Sequence, residues 1–157
     1  MRTADFISLK REKGEYPVEK VNSSELAAEY ARKCYFDDLT IYESFFLILL
    51  NPAMQTVGYS KISQGGIAGT VVDIRMIAKI AIDSLATSVI LVHNHPSGRA
   101  VPSKNDMDIT AEVTNALNTF NIDVKDHIIL TETDFYSFAD EGYIYNKTLK
   151  ETINANS

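Results

Sequence analysis

Residues 88–98 read Ser88-Val89-Ile90-Leu91-Val92-His93-Asn94-His95-Pro96-Ser97-Gly98. The run Val89–Val92, entered from Ser88, is apolar at odd and even positions alike, which marks a strand covered on both faces rather than a surface loop. It delivers two histidines at its end. In an extended chain, residues i and i+2 point to the same side, so His93 and His95 can offer both imidazoles to one ion. Pro96-Ser97-Gly98 then turns the chain back. Pro102-Ser103-Lys104-Asn105-Asp106 opens a helix, with Ser103 as its N-cap and Asp106 in its first turn. A carboxylate at that place can swing back to the strand end and complete a two-histidine, one-carboxylate set. Three protein ligands leave a fourth position for water, which separates catalytic from structural zinc. The same four residues also fit a capping box, Ser at the cap and an acid three later, and capping and ligation are compatible.

A second buried strand lies upstream. Phe45-Phe46-Leu47-Ile48-Leu49-Leu50 is apolar on both faces and fits a central position between helices. Asn51-Pro52 breaks it, and residues 56–62 read as its hairpin partner. Helical spacing recurs in three segments: from Asn22, with Glu25 three later, through Leu26 and Tyr30 to as far as Phe36; from about Asp73 to Ala86, on Ile74, Ile77, Ile80, Ala81 and Leu85; and from Asp106 to about Phe120, on Ile109, Val113 and Leu117. Residues 126–131 read as a late strand, and Phe135–Phe138 with Gly142-Tyr143-Ile144 close the fold. This alternation predicts an α/β protein, a three-layer α/β/α sandwich with a mixed central sheet. Residues 1–21 read as an N-terminal arm or strand, 22–150 as the catalytic domain and 151–157 as a frayed tail.

The chain has 157 residues, enough for one domain with a substantial core. Its net charge of −6, without a basic run, argues against direct DNA binding. The longest apolar run, Phe45–Leu50, is too short to span a membrane, so a cytoplasmic protein is expected. The one cysteine, Cys34, cannot form an internal disulfide and reads as a small buried apolar residue on a helix; a nucleophilic thiol is the weaker alternative.

Metal-assisted hydrolysis needs a proton acceptor near the ion. Glu43, immediately before the strand 45–50, can face the His93/His95 end if the strands run suitably. Asp37, Asp38 and Glu132 compete with it. The Ser103 hydroxyl can either cap the helix or donate to a developing oxyanion. Asn94 points away from the ligands and reads as a turn or substrate-contact residue. His127 is either a structural histidine or a partner behind a ligand. Asp108, two residues past Asp106, points elsewhere.

His93-x-His95-Pro96-Ser97-Gly98, Pro102-Ser103 and Asp106 resemble the motif of the JAMM (JAB, MPN-plus) metalloproteases, and Asn94-His95-Pro96-Ser97-Gly98 is similar to their RadC branch, historically called DNA repair proteins. Glu43-x-Phe45 leading into Leu47–Asn51, Ser63-x-Gly65-Gly66 with Gly69-Thr70, Asp126-His127, and Ser137-Phe138 with Gly142 resemble that branch as well, over roughly residues 22–145. The resemblance implies a JAB1/MPN-type, cytidine-deaminase-like sandwich. It also implies one zinc ion per chain on His93, His95 and Asp106, Glu43 as general acid/base, and Ser103 as the residue stabilising the tetrahedral intermediate. The activity implied is hydrolysis of an amide bond in a peptide or protein. Imidazole-carboxylate sites also accept iron, manganese or cobalt. RadC proteins can carry an N-terminal helix-hairpin-helix module, and none is expected here. The alternative is a non-catalytic, metal-binding interaction module acting through partners in DNA repair or mobile-element biology.

Overall fold

The computed structural model describes residues 2–6, 8, 10–35, 39–65 and 71–146. Phe36, Asp37, Asp38, Gly66, Gly69, Thr70 and the tail 151–157 lie outside the described residues. Among the described residues eight elements follow in order: α1 (Ser24–Cys34), β1 (Ser44–Leu50), β2 (Thr56–Gln64), α2 (Ile74–Asp83), β3 (Ser88–Asn94), α3 (Lys104–Asn118), β4 (Asp123–Leu130) and β5 (Phe135–Ser137). They build one mixed sheet of strand order β2-β1-β3-β4-β5. Only β3 and β4, joined through α3, run parallel; the other neighbouring pairs are antiparallel.

Every residue of β1 and of β3 is buried, as their two-sided apolar patterns require. On β1, Phe46, Ile48 and Leu50 pack under α1, against Ala27, Tyr30, Ala31 and Cys34. Phe45, Leu47 and Leu49 face the opposite way, into Ile77 and Ala81 of α2 and Val113 and Leu117 of α3. The three-layer sandwich follows from this division. Each fully buried Leu or Ile stabilises the fold by about 1.5–3 kcal/mol, so these two strands carry much of the core.

The helix ends differ slightly from expectation. The α1 cap is Ser23, not Asn22, because the Ser23 hydroxyl accepts from the Leu26 N–H at 3.2 Å. α2 stops at Asp83, since Leu85 takes a left-handed φ of 57°. β4 starts at Asp123, three residues earlier than read from the sequence, because Asp123 and Val124 pair with Ser88 and Val89. Gly142-Tyr143-Ile144 forms no strand; Tyr143 N–H is bonded to the Phe138 carbonyl at 2.7 Å.

The β3–β4 ladder has one irregularity that matters for the site. Val89 pairs with Val124 but Ile90 pairs with Asp126, so Lys125 is an extra residue and the strand changes phase. Val124 faces α2 and α3, whereas Ile128 and Leu130 face α1. The shift registers His127 with Leu91 and turns it toward α3. Among the described residues, no helix is long and apolar enough to cross a membrane.

Candidate metal centre

Antiparallel pairing of β1 with β3 sets Phe45 opposite His93, so the start of β1 meets the end of β3. Alternation places Glu43 on the same face as Phe45, and His95 on the same face as His93. The inner stripe of α3 is buried at Asp106, Thr110, Val113, Thr114 and Leu117. It is apolar toward its C-terminal end and polar in its first turns, where it meets the end of β3. Glu43, His93, His95 and Asp106 therefore converge, with their ligating atoms all within 4.8 Å of one another.

The inner contacts are tighter. His93 Nε2 and His95 Nε2 lie 2.9 Å apart, His93 Nε2 is 3.2 Å from Asp106 Oδ1, and His95 Nε2 is 3.3 Å from Asp106 Oδ2. A tetrahedron with ligand bonds of about 2.0–2.1 Å has edges of about 3.3 Å, so the three donors already stand at the spacing one small cation needs. The protons agree. His95 Nδ1 donates to the Arg99 carbonyl at 2.9 Å, and His93 Nδ1 contacts His127 Nε2 at 2.7 Å. With its Nδ1–H given to that carbonyl, His95 turns its Nε2 lone pair toward His93 Nε2 and the Asp106 carboxylate. Such a cluster attracts a cation, either a proton or a metal ion.

The electrostatics follow. Burial pushes the Asp106 carboxyl up, but contacts with His93 and His95 outweigh it and hold the group well below the usual carboxylate range. The Asp106 bond raises the His95 imidazole against its partial burial. His127, fully buried, is driven well below the ordinary histidine value by desolvation. Phe45 stacks on His93 with ring planes 8° apart, and Phe138 stacks on His127 at 15°, fixing both ring orientations.

Ser103 caps α3. Its hydroxyl accepts from Asp106 N–H at 3.1 Å, and Asp106 Oδ2 accepts from Ser103 N–H at 2.7 Å. The box thus orients the Asp106 carboxylate toward the cluster. The turn before it depends on Gly98, which takes φ of 81° as its N–H bonds the His95 carbonyl at 3.1 Å.

Asn94 is not a substrate-contact residue. It is fully buried, and its side chain accepts from Ser44 N–H at 2.8 Å and donates to the Leu39 and Tyr42 carbonyls, each at 2.7 Å. It clamps the segment that carries Glu43. Of Glu43's rivals, Glu132 sits on an exposed loop whose carbonyls Arg32 grips, outside the cluster. Asp108 is exposed and pairs with Lys104 at 3.1 Å. Phe45, Val72 and Ile109 give the cleft beside the cluster apolar walls, and its ≈ 10 Å³ is about the room of one water or ion. A larger cleft of ≈ 830 Å³ lies between residues 12–18 and 56–59, toward the other end of β1. Among the described residues it contributes nothing to the ligating cluster.

Residues 21–143 match the family described as the RadC-like JAB domain. The chain belongs to that family. This RadC-like JAB domain is 43% identical over 101 residues to a UPF0758 protein of Flavobacterium johnsoniae, covering 64% of this chain and 44% of the relative. It is 38% identical over 102 residues to the UPF0758 protein YfjY of Escherichia coli, covering 65% and 64%. A Fusobacterium nucleatum UPF0758 protein is 32% identical over 126 residues, covering 80% and 53%. The chain spans about half the length of most of the curated relatives it matches.

Two contributors to the RadC-like centre were not assigned from sequence. Thr110, one helical turn past Asp106 on the same face of α3, has its hydroxyl 2.6 Å from His127 Nδ1. The i, i+4 spacing was the available signal. The clamp role of Asn94 had none, because its partners lie 50 or more residues away.

Proposed function

We propose that this domain is a zinc-dependent hydrolase of amide bonds in peptides or proteins. The observation that carries the reading is the inward-facing set of two imidazoles and one carboxylate at 2.9–3.3 Å, with a further carboxylate beside it. His93, His95 and Asp106 would hold the ion. Bound there, zinc supplies Lewis acidity, making water a better nucleophile and a carbonyl a better electrophile.

The chain's own residues do the remainder. Glu43 accepts one proton from the attacking water and returns it to the amine that departs as the carbon–nitrogen bond breaks. Its place is fixed by Asn94 on one side and by its own carbonyl, which accepts from Gly65 N–H at 2.9 Å, on the other. The Ser103 oxygen is occupied as an acceptor by Asp106 N–H, which leaves its O–H to donate to the carbonyl oxygen as negative charge develops there.

The test has two parts. Elemental analysis of untagged protein should give about one zinc per chain, and Asp106→Ala should lose it. A peptide library read by mass spectrometry should then be cut by the wild type, while Glu43→Gln keeps the metal and loses at least about 100-fold in rate. Equal cleavage by Glu43→Gln would overturn the reading.

A further inference from the structure

Behind the cluster runs a buried chain of polar groups to which the hydrolysis itself assigns no role. His93 Nδ1 is 2.7 Å from His127 Nε2, His127 Nδ1 is 2.6 Å from Thr110 Oγ1, and Thr110 Oγ1 is 2.6 Å from the Asp106 carbonyl oxygen. His93, His127 and Thr110 are 2%, 0% and 2% exposed, so no water competes for these protons.

The chain admits one proton arrangement when its members are neutral. A carbonyl oxygen cannot donate, so the single hydroxyl proton of Thr110 belongs to the bond with Asp106. Thr110 Oγ1 must then accept, and His127 Nδ1 carries its ring proton. His127 Nε2 is left as an acceptor, so His93 donates from Nδ1. The lone pair of His93 therefore sits on Nε2, the atom 3.2 Å from Asp106 Oδ1.

We propose that His127 and Thr110 are positioning residues, which together hold His93 in the one tautomer able to ligate a cation through Nε2. The proposal rests on the metal-centre reading and extends it to α3 and β4. The direction of the chain is set at its far end. With no hydroxyl at position 110, His127 Nδ1–H would face a methyl group and the ring would protonate Nε2 instead. His93 Nδ1 would then have to accept, and the His93 proton would move to Nε2, where the cation must sit. The stacked rings of Phe45 and Phe138 keep the two imidazoles from turning away from this outcome. Because the chain leaves one ligand and ends on the backbone of another, it also ties the His93 ring to the first turn of α3.

The experiment compares wild type with Thr110→Val, which keeps the shape without the hydroxyl, and Thr110→Ser, which keeps the hydroxyl. Long-range ¹H–¹⁵N spectra of the metal-free proteins report the imidazole tautomers directly, and titration with cobalt(II) reports affinity through its visible absorption. Thermal unfolding of the metal-free proteins identifies the folded variants. Wild type should show Nδ1–H for both His93 and His127. Thr110→Val should bring in the Nε2–H forms and weaken cobalt binding by about 10- to 100-fold, and Thr110→Ser should stay within about threefold of wild type. Cobalt affinity of Thr110→Val within about twofold of wild type, or an Nε2–H tautomer of His93 in the wild type, overturns the proposal while leaving the metal centre in place. A wild type that takes up no cobalt overturns the metal-centre reading and the proposal with it.

Discussion

Asn94 and Ser44 are joined by a 2.8 Å hydrogen bond from the Ser44 N–H to the Asn94 side-chain oxygen, and this bond crosses from β3 to the residue next to Glu43. The amide of the same side chain donates to Tyr42 on the other side of Glu43. A residue between two candidate metal ligands thus holds the backbone around the candidate general base.

Asn94→Ala should therefore weaken the fold. It removes one buried and two part-buried bonds, those to the Ser44 N–H and to the Leu39 and Tyr42 carbonyls. Urea unfolding should show a loss of about 2–4 kcal/mol. A loss below about 0.5 kcal/mol would mean that water replaces the clamp.

Ser103 caps α3, and substitution can separate this from its proposed donation to the oxyanion. Ser103→Ala should cost about 0.5–2 kcal/mol of stability through the lost cap, whereas Ser103→Gly should cost only a few tenths. Both variants lack the hydroxyl. Hydrolysis should fall equally in the two, and activity that tracked stability instead would reduce Ser103 to a cap.

The metal-free protein should be most stable near pH 6.5, where two histidines impose opposite slopes. His127 is depressed below its ordinary value of 6.5, so the unfolded chain takes up more protons below that pH and stability falls with acidification. His95 is raised above 6.5, so its contribution is complete below that value and is lost as pH rises through the folded pKa. Melting temperatures of chelator-treated protein across pH 5–9 measure both arms; His127→Phe should flatten the acid arm alone. Bound zinc should reverse the alkaline slope, because ligation requires neutral imidazoles.

Cys34 should be inert in the native state. Burial pushes its thiol up to about 12, and its sulfur contacts the Tyr30 carbonyl at 3.6 Å. A thiol-reactive chromophore at about pH 8 should label it only after denaturant is added. Rapid labelling of the folded protein would show that α1 opens.

Much of this protein was legible as local pattern. The two-sided apolar runs at 45–50 and 89–92 dictated buried central strands, because a strand uncovered on one face alternates. His93 and His95 share a face by strand geometry, and the Ser103–Asp106 spacing fixed both the helix start and the candidate third ligand. These are relations between residues at most thirteen apart, where chain geometry leaves little freedom. Tertiary structure decided the remainder. Glu43 joins the site because β1 runs antiparallel to β3, a pairing the sequence allows but does not impose. His127 reaches His93 because one extra residue, Lys125, shifts the phase of β4; with even pairing it would face α1. A one-residue slip turns every later side chain to the other face, and nothing local to Asp126-His127 distinguishes the two faces.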